Sequence, residues 1–162
     1  MTGSNAYDFS FTSIDGDELP LSQFEGKAVL VVNTASRCGF TPQYAGLQEL
    51  YDSRSKDGIV VLGVPSGDFA GQELATEGEI KEFCEVQFGI NFPMTEKSVV
   101  KGKDAHPFYQ WAAQEFGRAA VPGWNFHKIV IAADGTVSAA FPSGTTPSDA
   151  KLNKALDEAL LR

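Results

Sequence analysis

The period at which apolar residues recur changes along the chain, and each change marks an element. Tyr7, Phe9 and Phe11 alternate with Asp8 and Ser10, and Asp15-Gly16 supplies a tight-turn dipeptide before Glu18-Leu-Pro-Leu21, so an N-terminal β-hairpin is expected. Ala28 to Asn33 is apolar on both faces, as a strand buried from both sides would be. Thr41 as N-cap and Pro42 at the first helical position then open a helix carrying Tyr44, Leu47, Leu50 and Tyr51 at helical spacing, with Gly58 ending its connection. Ile59 to Val64 is a second two-sided apolar strand. Strand, helix and strand with short links make a βαβ unit, which implies parallel strands joined by a right-handed crossover.

From Pro65 to Ala75 the chain is Gly-rich and irregular, placing a loop beyond the carboxyl end of the second strand, beside the turn that leaves the first. Thr76-Glu-Gly-Glu79 is a capping box, followed by Ile80, Phe83, Cys84 and Phe88 on one helical face and Gly89 as the stop. Asp104 is a candidate cap for a helix bearing Phe108, Trp111, Ala112 and Phe116, which Gly117 ends. His127 to Ala132 and Thr136 to Phe141 flank Asp134-Gly135, a strong hairpin signal. Thr146-Pro-Ser-Asp149, again a capping box, opens a last helix with Leu152, Ala155, Leu156, Ala159 and Leu160 at positions i, i+3, i+4, i+7 and i+8. The order βαβ, intervening helices, ββα is that of an α/β protein with a thioredoxin-like fold, extended by an N-terminal β-hairpin and by an insertion between its βαβ and ββα halves. Neither repeats nor linkers interrupt it, so residues 1–162 are read as one domain.

Composition narrows the function classes. A chain of 162 residues can bury a sufficient core without disulfides or a metal. Lys and Arg number 13 against 21 Asp and Glu, and the net charge of −8 is spread along the chain, which argues against a nucleic-acid or anionic-membrane surface. The segment Met-Thr-Gly-Ser-Asn-Ala-Tyr-Asp has no basic flank or apolar core. No later segment reaches roughly 18 consecutive apolar residues, so a cytoplasmic protein without stable membrane association is expected. Two cysteines make no disulfide framework, and in a reducing compartment such a pair is more often catalytic or redox-sensing.

Cys38 carries the sharpest chemical signal. It stands in the polar turn Ser36-Arg37-Cys38-Gly39-Phe40, where a strand ends and a helix begins. The unpaired N–H groups and partial positive charge of a first helical turn, with the full charge of Arg37, favour a thiolate there. Cys38 is thus a candidate nucleophile with a pKa below the free value of ~8.5. A two-cysteine redox loop is excluded, because Thr41 stands where Cys-x-x-Cys needs its second cysteine. Cys38, Cys84, His106 and His127 lack the paired spacing of a zinc site, so neither metal nor other cofactor is expected. A Cys–His protease stays open, since triads are spatial, although neither histidine sits in a recognisable signature. His106, in Ala-His-Pro at a helix start, reads as a local structural residue.

Asn33-Thr-Ala-Ser-Arg-Cys-Gly-Phe-Thr41 is similar to the catalytic signature of the glutathione peroxidase family. Phe69-Ala-Gly-Gln-Glu73, Asn91-Phe-Pro-Met94, Ala105-His-Pro107 and Trp124-Asn-Phe126 follow at that family's spacing, so the resemblance covers nearly the whole chain. It implies a peroxidatic Cys38, a catalytic tetrad completed by Gln72, Trp124 and Asn125, and a resolving cysteine at Cys84, in Phe-Cys-x-x-x-Phe-Gly, as in thioredoxin-dependent members. A thiolate attacking a peroxide O–O bond leaves a sulfenic acid and an alkoxide or hydroxide. The amide N–H groups of Gln72 and Asn125 and the indole N–H of Trp124 are donors for that developing charge.

Two departures from the family matter. Ser66 stands where a third cysteine is frequent, and Asp68 enters the site loop, where an inward carboxylate would oppose a thiolate; it is expected to face solvent. The interval from Ala112 to Trp124 lacks the oligomerisation insertion of tetrameric members, which implies a monomer with a site open to bulky hydroperoxides. The resemblance thus implies reduction of hydrogen peroxide and of organic or lipid hydroperoxides, through a Cys38–Cys84 disulfide recycled by thioredoxin. Two alternatives stand beside it: glutathione as reductant with Cys84 a core thiol, and a peroxide sensor that passes its oxidation to a partner protein.

Overall fold

The computed structural model describes residues 5–162; residues 1–4, on which the reading of the N-terminal segment partly rests, lie outside the described residues. Ser10–Thr12 (β1) and Glu18–Pro20 (β2) pair antiparallel with Phe11 opposite Leu19, forming the expected hairpin. Tyr7 does not extend β1. It lies in a single helical turn, Ala6–Asp8, which Asn5 and Asp8 cap reciprocally.

The main sheet is built from Ala28–Thr34 (β3), Ile59–Pro65 (β4), Lys128–Ile131 (β5) and Val137–Phe141 (β6), in the order β4-β3-β5-β6. β3 and β4 run parallel, from Ala28 opposite Ile59 to Thr34 opposite Pro65, while β5 and β6 are antiparallel additions. Every residue of β3 and β4 is buried, because helices cover both faces. Gln43–Arg54 (α1), Glu77–Phe88 (α2) and Ala150–Leu160 (α4) belong to the layer over Leu30, Val32 and Val61. Pro107–Phe116 (α3) and the hairpin belong to the layer over Val29, Val31 and Leu62. Burying one such aliphatic side chain is worth ~1.5–3 kcal/mol, so β3 is a fixed base for the turn that leaves it. α2 and α3 make up the insertion between the two halves. Its 91–94 segment lies against β4 at Gly63, where an added Cβ would meet Phe92 at 3.1 Å and Met94 at 3.3 Å.

Three helix starts correct the sequence reading, and each has a local cause. α1 begins at Gln43, because Thr41 Oγ1 accepts the Cys38 N–H and donates to Ala35 C=O; it staples the turn and caps nothing. α3 is capped by His106, not Asp104: Nδ1 accepts the Phe108 N–H, and Nε2 donates to Ser10 C=O, tying the helix to β1. α4 is capped by Asp149, whose carboxylate accepts from Lys151 and Leu152 N–H, so Thr146 opens only the preceding turn. The box of Thr76 with Glu79 and the left-handed Gly89 do bound α2.

Candidate active site

Three segments meet beyond the carboxyl ends of β3 and β4, the edge where open α/β sheets gather their sites. The first is the Cys38 turn. Cys38 is buried; its N–H donates to Thr41 Oγ1 (2.9 Å) and its Sγ accepts the Phe40 N–H (3.3 Å), so one bond pins the backbone and the other the sulfur.

The second is the 66–73 loop. Gln72 C=O accepts the Arg37 N–H (2.9 Å), and Glu73 Oε1 accepts from Ser36 N–H (3.1 Å), Ser36 Oγ (2.5 Å) and Leu74 N–H (2.8 Å). Burial holds the Glu73 carboxyl above its ordinary pKa, against the pull of these donors. The loop and the turn are therefore one hydrogen-bonded unit. Asp68 does not face solvent as expected. Its half-buried carboxylate accepts from Val100 N–H (2.7 Å) and Lys101 N–H (3.3 Å), and Lys101 Nζ lies 4.5 Å from the Phe69 ring.

The third is the Trp124–Phe126 corner. Phe126 is fully buried at φ +65°, a strained backbone for a bulky residue. Asn33 clamps it from both ends: its C=O accepts the Phe126 N–H (2.6 Å) and its Nδ2 donates to Trp124 C=O (2.9 Å). Between them Asn125, also fully buried, donates from Nδ2 to Gln72 Oε1 (2.9 Å). Trp124 keeps 36% of its surface exposed, with its ring 5.6 Å from that of Phe69. Because Gln72 spends its oxygen on Asn125, its own N–H groups are left as donors.

Gln72 is thus joined to Asn125 by its side chain and to the Cys38 turn by its backbone, and Trp124 packs on the same loop. Cys84 makes none of these hydrogen bonds. It sits in mid α2 in the layer of Tyr44, Ile80 and Phe92, and burial pushes its thiol up to about 11. Both cysteines are free thiols. His106 bonds Ser10 and Phe108 while His127 Nε2 donates to Ala119 C=O, so neither is paired with Cys38 among the described residues, which removes the protease alternative. No group of three or more His, Cys, Asp or Glu among the described residues could hold a metal, and no helix there is long and apolar enough to cross a membrane. Nothing in the sequence alone assigns Glu73 or Thr41 a part in holding the turn. Lys128 has one sequence signal, a lysine inside the apolar run from His127 to Ala132.

The glutathione peroxidase family model matches residues 6–113, well over half of the chain. The chain belongs to the glutathione peroxidase family. As a member it is a peroxidase, an oxidoreductase that reduces peroxides by thiol chemistry. It is 43% identical over 148 residues to a glutathione peroxidase of Lactococcus lactis subsp. cremoris, covering 90% of this chain and 94% of the relative. A hydroperoxy fatty acid reductase, gpx1, of Synechocystis sp. is 42% identical over 157 residues, with 92% and 93% covered. Among solved structures, Trgpx in its apo form superposes with a TM-score of 0.78 at 36% identity, covering 99% of this chain and 98% of that one. A thioredoxin-family thiol:disulfide interchange protein of Chlorobium tepidum, at 19% identity and a TM-score of 0.70 over 97% and 96% of the two chains, shares the fold.

Proposed function

We propose that this peroxidase, a cytoplasmic monomer of one domain, reduces hydrogen peroxide and organic or lipid hydroperoxides with Cys38 as nucleophile, Cys84 as resolving thiol and thioredoxin as reductant. The observation that carries the reading is the Asn125 to Gln72 bond: it fixes two amide donors against the loop whose backbone holds the Cys38 turn. The Cys38 thiolate attacks one peroxide oxygen; an S–O bond forms as the O–O bond breaks, sulfur is oxidised to a sulfenic acid, and the departing oxygen takes a proton to become alcohol or water. Gln72, Asn125 and Trp124 N–H groups stabilise charge on that oxygen as it leaves. Cys84 then attacks the sulfenic sulfur, S–S replacing S–O with loss of water, and a thioredoxin dithiol reduces the disulfide. Relatives named glutathione peroxidase-like peroxiredoxins, in Chlamydomonas reinhardtii and Saccharomyces cerevisiae among others, support the thioredoxin-type reductant, and the hydroperoxy fatty acid reductases support the lipid substrates.

In this reading α2 opens for the second step, because Cys84 sits in mid-helix with its thiol in the core, whereas a disulfide needs Cα atoms within roughly 7 Å and both side chains directed together. A buried thiol with a pKa of about 11 is also a poor nucleophile where it stands. α2 is held lightly: only Ile80 and Cys84 are fully buried, and a cleft of about 410 Å³ opens beside Cys84, lined also by Ile14, Lys81, Ile90 and Met94.

Steady-state peroxide consumption with thioredoxin and its reductase, run beside glutathione and its reductase, tests the reading. Cys38→Ser abolishes turnover with both. Cys84→Ser keeps the first oxidation of Cys38, loses thioredoxin-supported turnover and leaves Cys38 open to over-oxidation. Normal glutathione turnover in Cys84→Ser would replace thioredoxin with glutathione. Slow turnover with both reductants, beside rapid Cys38 oxidation in the parent, would favour the sensor.

A further inference from the structure

Lys128, the first residue of β5, is fully buried and lies in mid-sheet between Val32 and Phe141. Its Nζ donates to Gln43 Oε1 (2.5 Å) and to Ser143 C=O (3.1 Å), and Gln43 Nε2 donates to the same carbonyl (2.8 Å). No carboxylate pairs with it among the described residues. Burying an ammonium without a counterion costs stability, so packing alone does not account for a lysine here. Burial pulls its pKa down to about 7. A neutral amine has two N–H donors for the two acceptors present, whereas an ammonium carries a third with no acceptor in view.

The side chain bridges two parts of the site. Gln43 is the first residue of α1, and its N–H donates to Phe40 C=O (2.8 Å), while the Phe40 N–H donates to Cys38 Sγ. On the other side, Lys128 follows the strained Phe126 by two residues and Asn125 by three. We propose that Lys128 is a positioning residue for peroxide reduction, tying the start of α1 to the Trp124–Asn125 corner and so holding the Cys38 turn in register with it, most firmly as the neutral amine. The proposal rests on Cys38 being the nucleophile. Few other charges bear on Lys128. β3 and β6, which flank it, carry no titratable residue, and burial holds the Tyr44 hydroxyl of α1 above its ordinary pKa. Glu49, Asp52 and Arg54 of α1, and Lys151, Lys154, Asp157 and Glu158 of α4, are exposed or half-exposed, and Asp149 is spent on capping α4. His127, next in the chain, is kept toward its neutral form by burial, and the Lys128 charge opposes its protonation.

The test follows Cys38 in the whole chain from pH 5.5 to 9, by iodoacetamide alkylation located by mass spectrometry and by the rate of oxidation with hydrogen peroxide. In the parent the rates climb in two steps, thiolate formation and loss of the Lys128 proton. Lys128→Met loses the second step and oxidises about tenfold more slowly at pH 8, the scale of loss expected when reacting groups are slightly misplaced. Gln43→Glu sets a carboxylate against Nζ and shifts the second step upward by about one to two pH units, which a merely structural lysine would not produce. That variant carries the test if Lys128→Met does not fold. Lys128→Met with the parent's rates and profile, or Gln43→Glu with an unmoved second step, overturns the proposal. Should Cys38→Ser still turn over peroxide, the nucleophile reading is the part that fails, and the alkylation profile still reports whether Lys128 holds the turn.

Discussion

The Cys38 turn and helix α2 hold their cysteines by different means. The turn is fixed by directional bonds at Ser36, Arg37, Cys38 and Thr41, and it springs from a strand buried along its whole length. α2 keeps Cys84 by burial: two residues of twelve face the core fully, Val86 is 72% exposed, and Gly78 sits in the first turn. Hydrogen bonds specify where an atom points, whereas burial specifies only what is kept from water. In the proposed reaction Cys38 meets a peroxide oxygen beside fixed donors and needs the former. The proposed resolving thiol, which would travel to its partner, is better served by the latter, since elements with few buried contacts open at low free energy.

The largest effect is expected on the rigid side. Asn125→Leu keeps volume but removes the donor to Gln72 Oε1, freeing Gln72 to turn and leaving the developing oxyanion without one fixed amide. First oxidation of Cys38, followed by stopped flow, should slow by ~10²–10³-fold, the cost of losing one such donor. The reactivity of Cys84 in α2 should not change. A rate within twofold of the parent would erase the contrast, because precise placement around Cys38 would then have no consequence.

The contrast also governs how much could be read from sequence. β3 and β4 were legible because a two-sided apolar run has one use, and the ends of α2 because Thr76, Glu79 and Gly89 act within a few residues of one another. Thr41, Asp104 and Thr146 mislead because a rival lies only a few residues off: Thr41 bonds the Cys38 N–H, while His106 and Asp149 cap α3 and α4. Asp68 misleads for a different reason, its donors lying 32 and 33 residues away. Motif order was enough to propose Cys38, Gln72, Trp124 and Asn125. The supports beneath them, Asn33, Glu73 and Lys128, depend on which backbone groups the fold brings alongside.

On the yielding side, pH should act through Cys84. Its thiol ionises near 11 while closed and near its ordinary 9.0 once exposed, so below pH 9 both forms keep the proton and closure has its full stability. Between those values the open form sheds its proton and the closed form does not. Opening therefore becomes easier as pH rises from 9 towards 11, by up to ~2 kcal/mol. Limited subtilisin cleavage within residues 77–88 should accelerate by about twentyfold between pH 8 and 10.5, relative to Cys84→Ser under the same conditions. Equal acceleration in both proteins would mean that α2 closure owes nothing to keeping this thiol neutral.

The smallest change is the one that isolates opening. Gly78 lies in the first turn of α2 at ordinary helical φ, and a Cβ added there meets nothing within 4 Å. Alanine should then stiffen the helix without strain, by ~0.5–1 kcal/mol, chiefly by restricting the open chain. Neither the Cys38 turn nor its donors are touched, so the first oxidation should keep the parent's rate. If opening precedes resolution, the Cys38–Cys84 disulfide should form about two- to fivefold more slowly after an equimolar pulse of peroxide, the factor that this free energy commands. Quenched samples read by mass spectrometry give both steps in one experiment. A disulfide that forms at the parent's rate in a measurably stabilised protein would show that Cys84 reaches Cys38 without α2 opening, and the flexibility assigned to this helix would then have no part in the chemistry.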